Sequence, residues 1–298
     1  MDPDGNQMNA KHTADLTGVS ETALMTLAVR AAEAKRPDSI LEDPMAIQLV
    51  ESIDYDFAKF GFTRRQDMAL RALVFDKHTR RYLLDHPEAT VVALAEGLQT
   101  SFFRLDAGGP SDGSGVSGPS DAPGTGGRQR FRWLTVDLPA MIALRRKLLP
   151  ASARVQMCAQ SALDFSWMDQ VDTDHGVFIT AEGLLMYLQP DEALALITEC
   201  AARFPGGQMM FDLPPSGLAA LTRRGVRTSL RYRVPPMPFI LSVAEAANLV
   251  NTIPGVRAVH DVPSGRGRGT VLNALLWTVQ RIPLLDPVRP VVTLLEFG

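Results

Sequence analysis

Two patterns of apolar residues divide the chain near residue 90. Between residues 16 and 88, apolar positions recur at helical spacing among strong helix formers, which predicts helices over Glu21–Ala32, from Pro44 onward and over Asp67–Leu84. Ser20 is the predicted cap of the first helix, and Asp43 followed by Pro44 is typical of a helix start. After residue 90, short apolar runs alternate with helical stretches. These runs lie at 90–95, 131–136, 154–158, 176–181, 207–212, 256–262 and 290–297.

Strands that are separated by helical stretches, such as Pro139–Leu148 and Pro190–Arg203, are typical of parallel sheets. The second part of the chain is therefore predicted to be an α/β domain with a doubly wound, mostly parallel sheet of seven strands. We divide the chain into a disordered polar tail (1–15), an N-terminal helical cover (16–89) and the α/β domain (90–298).

Two segments interrupt the α/β domain. Residues 107–127 contain eight Gly, three Pro and four Ser among 21 residues, a composition that predicts a flexible insert because it offers little apolar surface to bury. Residues 213–241 follow the fifth predicted strand and combine several arginines with prolines and aromatic residues. Their chemistry is taken up below.

Composition narrows the classes of function. A formal net charge of −3 gives no general electrostatic reason to expect nucleic acid as a partner. The two cysteines, Cys158 and Cys200, have neither metal-site nor redox spacing, so we expect no metal and a reducing, cytoplasmic setting. No apolar stretch approaches the length of a membrane span, and the start of the chain lacks the apolar core of a signal peptide.

The turn after the first predicted strand is the first candidate for chemistry. Val91 to Leu94 lead into Ala95-Glu96-Gly97, and a new apolar run begins at Ser101, which is the strand–turn–helix opening of a nucleotide-binding domain. Gly97 would let a ligand approach the backbone closely. Two of the three glycines of a dinucleotide motif are missing, and Glu96 would repel a pyrophosphate, which disfavours nicotinamide and flavin cofactors.

Acidic residues follow the next three strands. Asp137 ends the second strand, at a spacing that suits a ribose-binding carboxylate once the flexible insert is discounted; it could also cap the helix at Pro139. Asp164 follows the third strand and suits either the adenine end of a pocket or a helix cap. Glu182 follows the fourth strand among apolar residues, where a buried acid needs either a functional or a structural partner.

An acid-rich crevice without a phosphate cradle fits an adenosyl ligand that carries cationic groups. S-adenosyl-L-methionine has a ribose, an adenine amine, an α-ammonium and a sulfonium. Its one anionic group is a carboxylate, for which an arginine is the expected partner. Arg71 and Arg30, on the preceding helices, are the two candidates, and either could instead lie on a solvated helix face.

At this point the chain resembles the leucine carboxyl methyltransferase family, in particular its bacterial branch of polyketide O-methyltransferases. The resemblance covers residues 16–298 and rests on an ordered set of motifs: Asp43-Pro44-x-Ala46, Arg71, Leu94 to Thr100, Phe103-Arg104-Leu105, Val136-Asp137-Leu138-Pro139, Arg145 to Pro150, and Ala181 to Leu188. The family commonly reads Gly-x-Gly-Leu-Asp-Thr-Arg at the turn. Here Ala95, Gln99 and Ser101 replace the first Gly, the Asp and the Arg.

The resemblance implies a Rossmann-like methyltransferase fold with an antiparallel last strand and a helical N-terminal cover. It implies Arg71 at the cofactor carboxylate, Gly97 beneath the cofactor, Asp137 at the ribose and Glu182 near the methionyl end. It also implies that the loop 161–164 lies at the adenine. The predicted cofactor site is completed by Ala95, Glu96 and Leu138, which flank these positions, and by Ala162, Leu163 and Asp164 of that loop.

The acceptor side is predicted from residues 213–241. Arg223, Arg224, Arg227, Arg231 and Arg233 lie in this segment and suggest an anionic acceptor, with a solvated basic face as the alternative. Its aromatic residues suggest a partly apolar acceptor body, and Tyr187, Arg224, Arg231 and Tyr232 are the candidate substrate contacts. No catalytic base is assigned, since none of His78, His175, His260 and Tyr187 has a distinctive spacing.

The sequence thus predicts an S-adenosylmethionine-dependent O-methyltransferase that acts on a carboxylate or hydroxyl of a small, polyketide-like metabolite. The alternative is a catalytically weak or inactive relative that binds the cofactor or a partner protein. A nicotinamide dehydrogenase is a third and disfavoured hypothesis. The sequence does not predict the oligomeric state.

Overall fold

The computed structural model describes residues 11–61, 66–107 and 130–298. The predicted flexible insert 107–127 lies outside the described residues except for Ala107, as does the predicted tail up to residue 10. The rest of that tail is ordered, contrary to the prediction. His12–Thr13 pair in parallel with Ile53–Asp54, and Ala14 and Leu16 are buried in the core.

A seven-stranded sheet forms the centre of the molecule and confirms the predicted fold class. The strands are β1 (Thr90–Leu94), β2 (Arg132–Asp137), β3 (Val155–Ala159), β4 (Val177–Ala181), β5 (Gln208–Leu213), β6 (Val256–Asp261) and β7 (Val291–Phe297), and all their bounds lie within one residue of the predicted ones. Their order in the sheet is β6-β7-β5-β4-β1-β2-β3. Strands β1 to β5 run parallel, while β7 is antiparallel to both of its neighbours.

Helices cover both faces of the sheet. Successive residues of β1 alternate between two cores: Val92 and Leu94 belong to the larger one, and Val91 and Ala93 to the smaller. The helices are α1 (Thr22–Ala34), α2 (Pro44–Ser52), α3 (Asp67–Asp85), α4 (Ser101–Asp106), α5 (Pro139–Leu148), α6 (Pro190–Arg203), α7 (Ser216–Arg223), α8 (Val243–Ala247), α9 (Leu249–Thr252) and α10 (Thr270–Arg281).

Local sequence signals explain most helix starts. The Asp43 side chain accepts a hydrogen bond from the Ala46 amide at 3.0 Å, with Pro44 in the first turn, as predicted. Ser20 does not cap α1, which begins one residue later than expected, with Glu21 as an N-cap whose side chain makes no capping bond.

A buried ionic network joins the N-terminal cover to the sheet domain. The Arg30 guanidinium of α1 contacts the Asp43 carboxylate, which also accepts from Arg104 of α4 at 2.9 Å. Arg104 reaches Asp76 of α3 through two hydrogen bonds of 2.6 and 3.0 Å, and the Thr100 hydroxyl lies among all these groups. Because every partner is buried and paired, this network fixes the cover against the end of β1.

Candidate functional site

The turn after β1 has a backbone shape that glycine normally supplies. Gly97 has a φ of +58°, and Ala95 has a φ of +48°, which makes it the one non-glycine residue with positive φ in the described part of the chain. L-residues are strained in this left-handed region because Cβ approaches the following carbonyl oxygen. Ala95 nevertheless holds it, since its amide donates to the Val136 carbonyl at 2.7 Å.

Two buried arginines fix this turn through its carbonyl groups. Arg145 of α5 donates to the Gly97 and Gln99 carbonyls at 2.7 and 3.1 Å, and Arg30 donates to the Leu98 carbonyl at 2.6 Å. Arg30 is therefore occupied in the structure and is not the arginine for a ligand carboxylate. The role of Arg145 was missed from the sequence, where Arg145 was named only as the first residue of the motif Arg145 to Pro150.

The Glu96 side chain is held by protein groups that the sequence analysis did not foresee. Its carboxylate forms an ion pair with Arg145 at 2.8 Å and accepts from the Thr135 hydroxyl at 2.6 Å and the Trp133 indole at 3.2 Å. The side chain is almost fully buried. All three contacts go to Oε2, which holds the side chain against the base of the turn, whereas Oε1 is buried and accepts no hydrogen bond from any residue described.

Asp137 lies directly beside the turn. One of its carboxylate oxygens accepts from the Gly97 amide and the other from the Leu138 amide, both at 2.7 Å. Burial raises the pKa of Asp137 above its ordinary value, while the two backbone N–H groups oppose that shift. The helix-cap alternative is not what the structure shows, because the N-cap of α5 is Leu138. The carboxylate couples the ends of β1 and β2.

Gly97 is also covered by the N-terminal helix. A Cβ atom built on Gly97 would lie 2.9 Å from the Ala23 Cβ of α1, so any larger residue would push the helix off the turn. The start of α1 therefore packs directly against the turn that follows β1.

An arginine held between two carboxylates lies at the ends of β4 and β5. Arg71 of α3 donates to Glu182 at 2.9 Å and to Asp212 at 3.3 Å, and its guanidinium packs against Gly183, where an added Cβ would approach within 3.0 Å. Asp212 also accepts from the Gly183 amide at 2.7 Å. The structure brings the predicted residues Arg71 and Glu182 together and adds Asp212, which the sequence reading missed.

The charges in this cluster are strongly coupled. Burial raises the pKa of Glu182 above its ordinary value, and the nearby Asp212 acts in the same direction, whereas Arg71 opposes both. Burial alone would lower the pKa of Arg71, but the Asp212 and Glu182 carboxylates raise it by more. With one cation and two anions, the cluster has a formal charge of −1 when all three groups are ionised.

The loop after β3 supplies a third part of the site. Asp164 is exposed and caps the short 3₁₀ helix Phe165–Gln170, accepting from the Ser166 amide at 3.2 Å. The capping alternative for Asp164 is therefore present in the structure. Ala162 is buried and Leu163 partly buried, while Leu138, after β2, keeps 46% of its surface exposed.

Two tyrosines are among the predicted acceptor contacts. Burial raises the pKa of Tyr187, which neighbours Arg71 and Asp212. Tyr232, in the hairpin formed by Arg227–Ser229 and Tyr232–Arg233, packs edge-on against Phe60 at a centroid distance of 4.8 Å. Its hydroxyl is buried and has no hydrogen-bond partner among the residues described. Such an orphaned hydroxyl is suited to a hydrogen bond with a ligand.

The five arginines of the acceptor-side insert are all exposed. Within the described ranges, only Arg231 among them forms an ion pair, with Asp56 of the cover. They do not line a closed pocket, so the solvated-face alternative describes their surroundings in the structure. The set is Arg223, Arg224, Arg227, Arg231 and Arg233.

Other chemistry is sparse in the described part of the chain. A cavity of about 750 Å³ lies at the opposite, amino-terminal edge of the sheet, between Tyr82, His86 and His175. His175 is thus remote from the crevice, as its position before β4 indicated. In the residues described, no cluster of His, Cys, Asp or Glu side chains is arranged to hold a metal ion. Nor is any described helix sufficiently long and apolar to span a bilayer.

The donor set fits S-adenosylmethionine. The Arg71 cluster offers a guanidinium to a carboxylate and two carboxylates to an ammonium, and its formal charge of −1 balances the net +1 of the ligand. The turn lacks the glycines of a pyrophosphate cradle. S-adenosylmethionine, an amino acid joined to a nucleoside without phosphates, matches both the charges of the Arg71 cluster and the lack of a pyrophosphate cradle.

Comparisons with known proteins point in the same direction. No family model matches the chain. It is 29% identical over 282 residues to the tetracenomycin polyketide synthesis O-methyltransferase TcmP of Streptomyces glaucescens, covering 94% of this chain and 90% of that protein. It is also 29% identical over 221 residues to the S-adenosyl-L-methionine-dependent methyltransferase dpfgK of Gibberella zeae, covering 67% of this chain and 68% of that one.

A solved structure shares the fold. A DUF574 family protein from Streptomyces avermitilis superposes with a TM-score of 0.55 at 11% identity, covering 93% of this chain and 97% of the other. The sheet order, the Arg71 cluster beside the turn and the two sequence similarities lead to one conclusion: this chain is an S-adenosyl-L-methionine-dependent methyltransferase.

Proposed function

We propose that the protein is an O-methyltransferase that acts on a carboxylate or hydroxyl of a small, partly apolar, polyketide-like metabolite. We further propose that it belongs to the bacterial branch of the leucine carboxyl methyltransferase family. The observation that carries the proposal is the partly buried contact of Arg71 with Glu182 and Asp212, at the strand ends beside the turn. The similarity to a polyketide O-methyltransferase supports the class of acceptor.

In this proposal each end of the cofactor has its own partners. Arg71 binds the carboxylate, Glu182 faces the ammonium and Asp137 accepts from the ribose hydroxyls. The backbone of Ala95, Glu96 and Gly97 lies beneath the ligand. The adenine lies against the loop residues Leu138, Ala162, Leu163 and Asp164.

The bound cofactor supplies an electrophilic methyl group on a sulfonium. That methyl group would pass to the acceptor oxygen, and the thioether would be the leaving group and keep the electron pair of the broken carbon–sulfur bond. The protein contributes mainly by positioning the two reactants and excluding water. A carboxylate acceptor needs no base, whereas a hydroxyl acceptor must also release its proton.

The acceptor is proposed to lie between the N-terminal cover and the acceptor-side insert. Tyr187 is partly buried beside the Arg71 cluster, and the Tyr232 hydroxyl lacks a partner among the described residues, so each can contact an acceptor oxygen. Arg224 and Arg231 are exposed, and their proposed role is to attract an anionic acceptor toward the site.

Calorimetry with S-adenosylmethionine and S-adenosylhomocysteine, followed by transfer of a labelled methyl group to a panel of phenols and carboxylic acids, tests the proposal. We expect binding of both nucleosides and labelling of at least one acceptor. Absence of binding at millimolar ligand would overturn it. Binding without transfer to any acceptor would favour the alternative of an inactive relative, for which the strained Ala95 in the turn is the specific observation.

A further inference from the structure

Gln99 follows the turn and is buried beside the Arg71 cluster. Its side-chain amide nitrogen donates to the Glu182 carboxylate at 2.6 Å. Its side-chain oxygen is buried and accepts no hydrogen bond from any residue described. Only 7% of the Gln99 surface is exposed, so bulk water reaches it poorly.

The orientation of this amide is determined by its neighbour. Rotating it by 180° would place its oxygen against the Glu182 carboxylate, two acceptors in contact, so the nitrogen must face Glu182 and the oxygen must face elsewhere. A buried carbonyl without a donor is costly, and such groups in native proteins are commonly completed by a ligand or ordered water. The missing partner must be a hydrogen-bond donor.

We propose that the Gln99 side-chain oxygen accepts a hydrogen bond from the α-ammonium of the cofactor, and that Gln99 thereby favours ligands with an intact amino acid end. This inference rests on the proposed placement of the methionyl end at the Arg71 cluster. Glu182 supplies the opposite charge for the ammonium, and Gln99 supplies a neutral, directed acceptor that Glu182 holds in place. The other donors of the ligand, on its ribose and adenine, are assigned in the proposed function to Asp137 and to the loop that contains Asp164.

The test compares two ligands that differ at the amino acid end. S-adenosylhomocysteine has both the ammonium and the carboxylate, whereas 5′-methylthioadenosine retains the nucleoside and the thioether but has neither. Their dissociation constants are measured by calorimetry for the full-length parent and for Gln99→Met, which keeps the length of the side chain and removes the acceptor. Gln156→Met, at an exposed position of β3, is the matched control.

We expect Gln99→Met to lower the affinity for S-adenosylhomocysteine about tenfold, since the lost hydrogen bond involves a charged donor. The affinity for methylthioadenosine should stay within about twofold of the parent's. Gln99→Asn, which retracts the amide by one methylene, tests the same bond if the Met variant does not fold, and circular dichroism reports folding. Unchanged affinity for S-adenosylhomocysteine, or an equal loss for both ligands, would overturn the role of Gln99. A parent protein that binds neither ligand would instead overturn the proposed function.

Discussion

Replacing Ala95 with glycine should stabilise this protein. Ala95 adopts a φ of +48° in the turn after β1, a conformation in which its Cβ is strained and which glycine adopts freely. The residue is only partly buried, so removing its methyl group leaves no large cavity. Its amide bond to Val136 does not involve the side chain and is retained in the variant.

The size of the effect is the difference between two opposing terms. Left-handed backbone costs a non-glycine residue about 1–2 kcal/mol. The greater freedom of glycine in the unfolded chain offsets about 0.4–1 kcal/mol of that gain. The net increase in the free energy of unfolding is therefore about 0.5–1 kcal/mol. For 298 residues the unfolding entropy is about 0.6 kcal/mol per degree, so the melting temperature should rise by about 1–2 °C.

Urea denaturation and calorimetry measure these quantities. Ala195→Gly is the matched control, because Ala195 is an exposed position inside α6, where the same substitution should lower the free energy of unfolding by about 1 kcal/mol. We also expect Ala95→Gly to bind S-adenosylmethionine at least as tightly as the parent, since the variant keeps the shape of the turn.

The sign of the change is decisive. If Ala95→Gly destabilised the protein as much as Ala195→Gly does, Ala95 would not hold a left-handed conformation in solution. The assignment of strain to this turn would then be wrong, and so would the view that the chain tolerates alanine there at a cost in stability.

Four further outcomes are expected. In calorimetry, Arg71→Met should lower the affinity for S-adenosylhomocysteine at least tenfold, while Arg146→Met, on the exposed side of α5, should leave it unchanged. Equal affinities of these two variants would refute the assignment of Arg71 to the cofactor carboxylate. Arg104→Met should lower the free energy of unfolding by about 3–5 kcal/mol in urea, because it leaves the buried Asp43 and Asp76 short of a partner, and a loss below about 1 kcal/mol would contradict this. Because burial raises the pKa of Glu182 and of Asp137, cofactor affinity should fall as the pH drops through these raised pKa values, and binding in this pH range should release protons, which calorimetry detects as a binding enthalpy that depends on the buffer. Without cofactor, the two acids stabilise the folded protein fully at a pH below their ordinary pKa values of 4.5 and 3.8. That stabilisation is lost as the pH rises through the raised pKa values. The double variant Arg224→Glu and Arg231→Glu should lower kcat/KM for an anionic acceptor at low salt, and the difference from the parent should disappear at high salt. If kcat/KM of the double variant equals that of the parent, or differs by the same factor at all salt concentrations, the two arginines do not attract the acceptor and belong to a solvated surface.

Periodicity predicted the sheet well, because each strand is a short apolar run bounded by polar or turn residues. Pro139 and Pro190 likewise marked two helix starts correctly. The N-terminal residues 11–15 were assigned to a tail because they are polar. Their pairing with Ile53–Asp54 joins segments about 40 residues apart, which no local pattern reveals.

The site was predicted where a residue's place on a strand decides its role, and missed where long-range pairing decides it. The rule that located Asp137 and Glu182, an acid at the carboxyl end of a strand, applies equally to Asp212 in β5 and could have found it. The orientation of the Glu96 side chain, by contrast, could not be predicted from its position at the end of a strand. It depends on Arg145, Trp133 and Thr135, which the chain brings beneath the turn only after the sheet has formed.

The ionic network between the cover and the sheet has a consequence for how the chain folds during synthesis. Arg30, Asp43 and Asp76 leave the ribosome before Arg104, and until it arrives Asp43 has Arg30 as its arginine partner while Asp76 lacks the arginine that it pairs with in the folded protein. Buried charges without partners are strongly unfavourable, so residues 16–89 cannot complete their packing as an independent unit. The amino-terminal third of the protein therefore completes its packing only after the first strand and helix of the sheet domain have been synthesised. Shortening the chain from its start would remove the cover and, with it, ionic partners of the sheet domain.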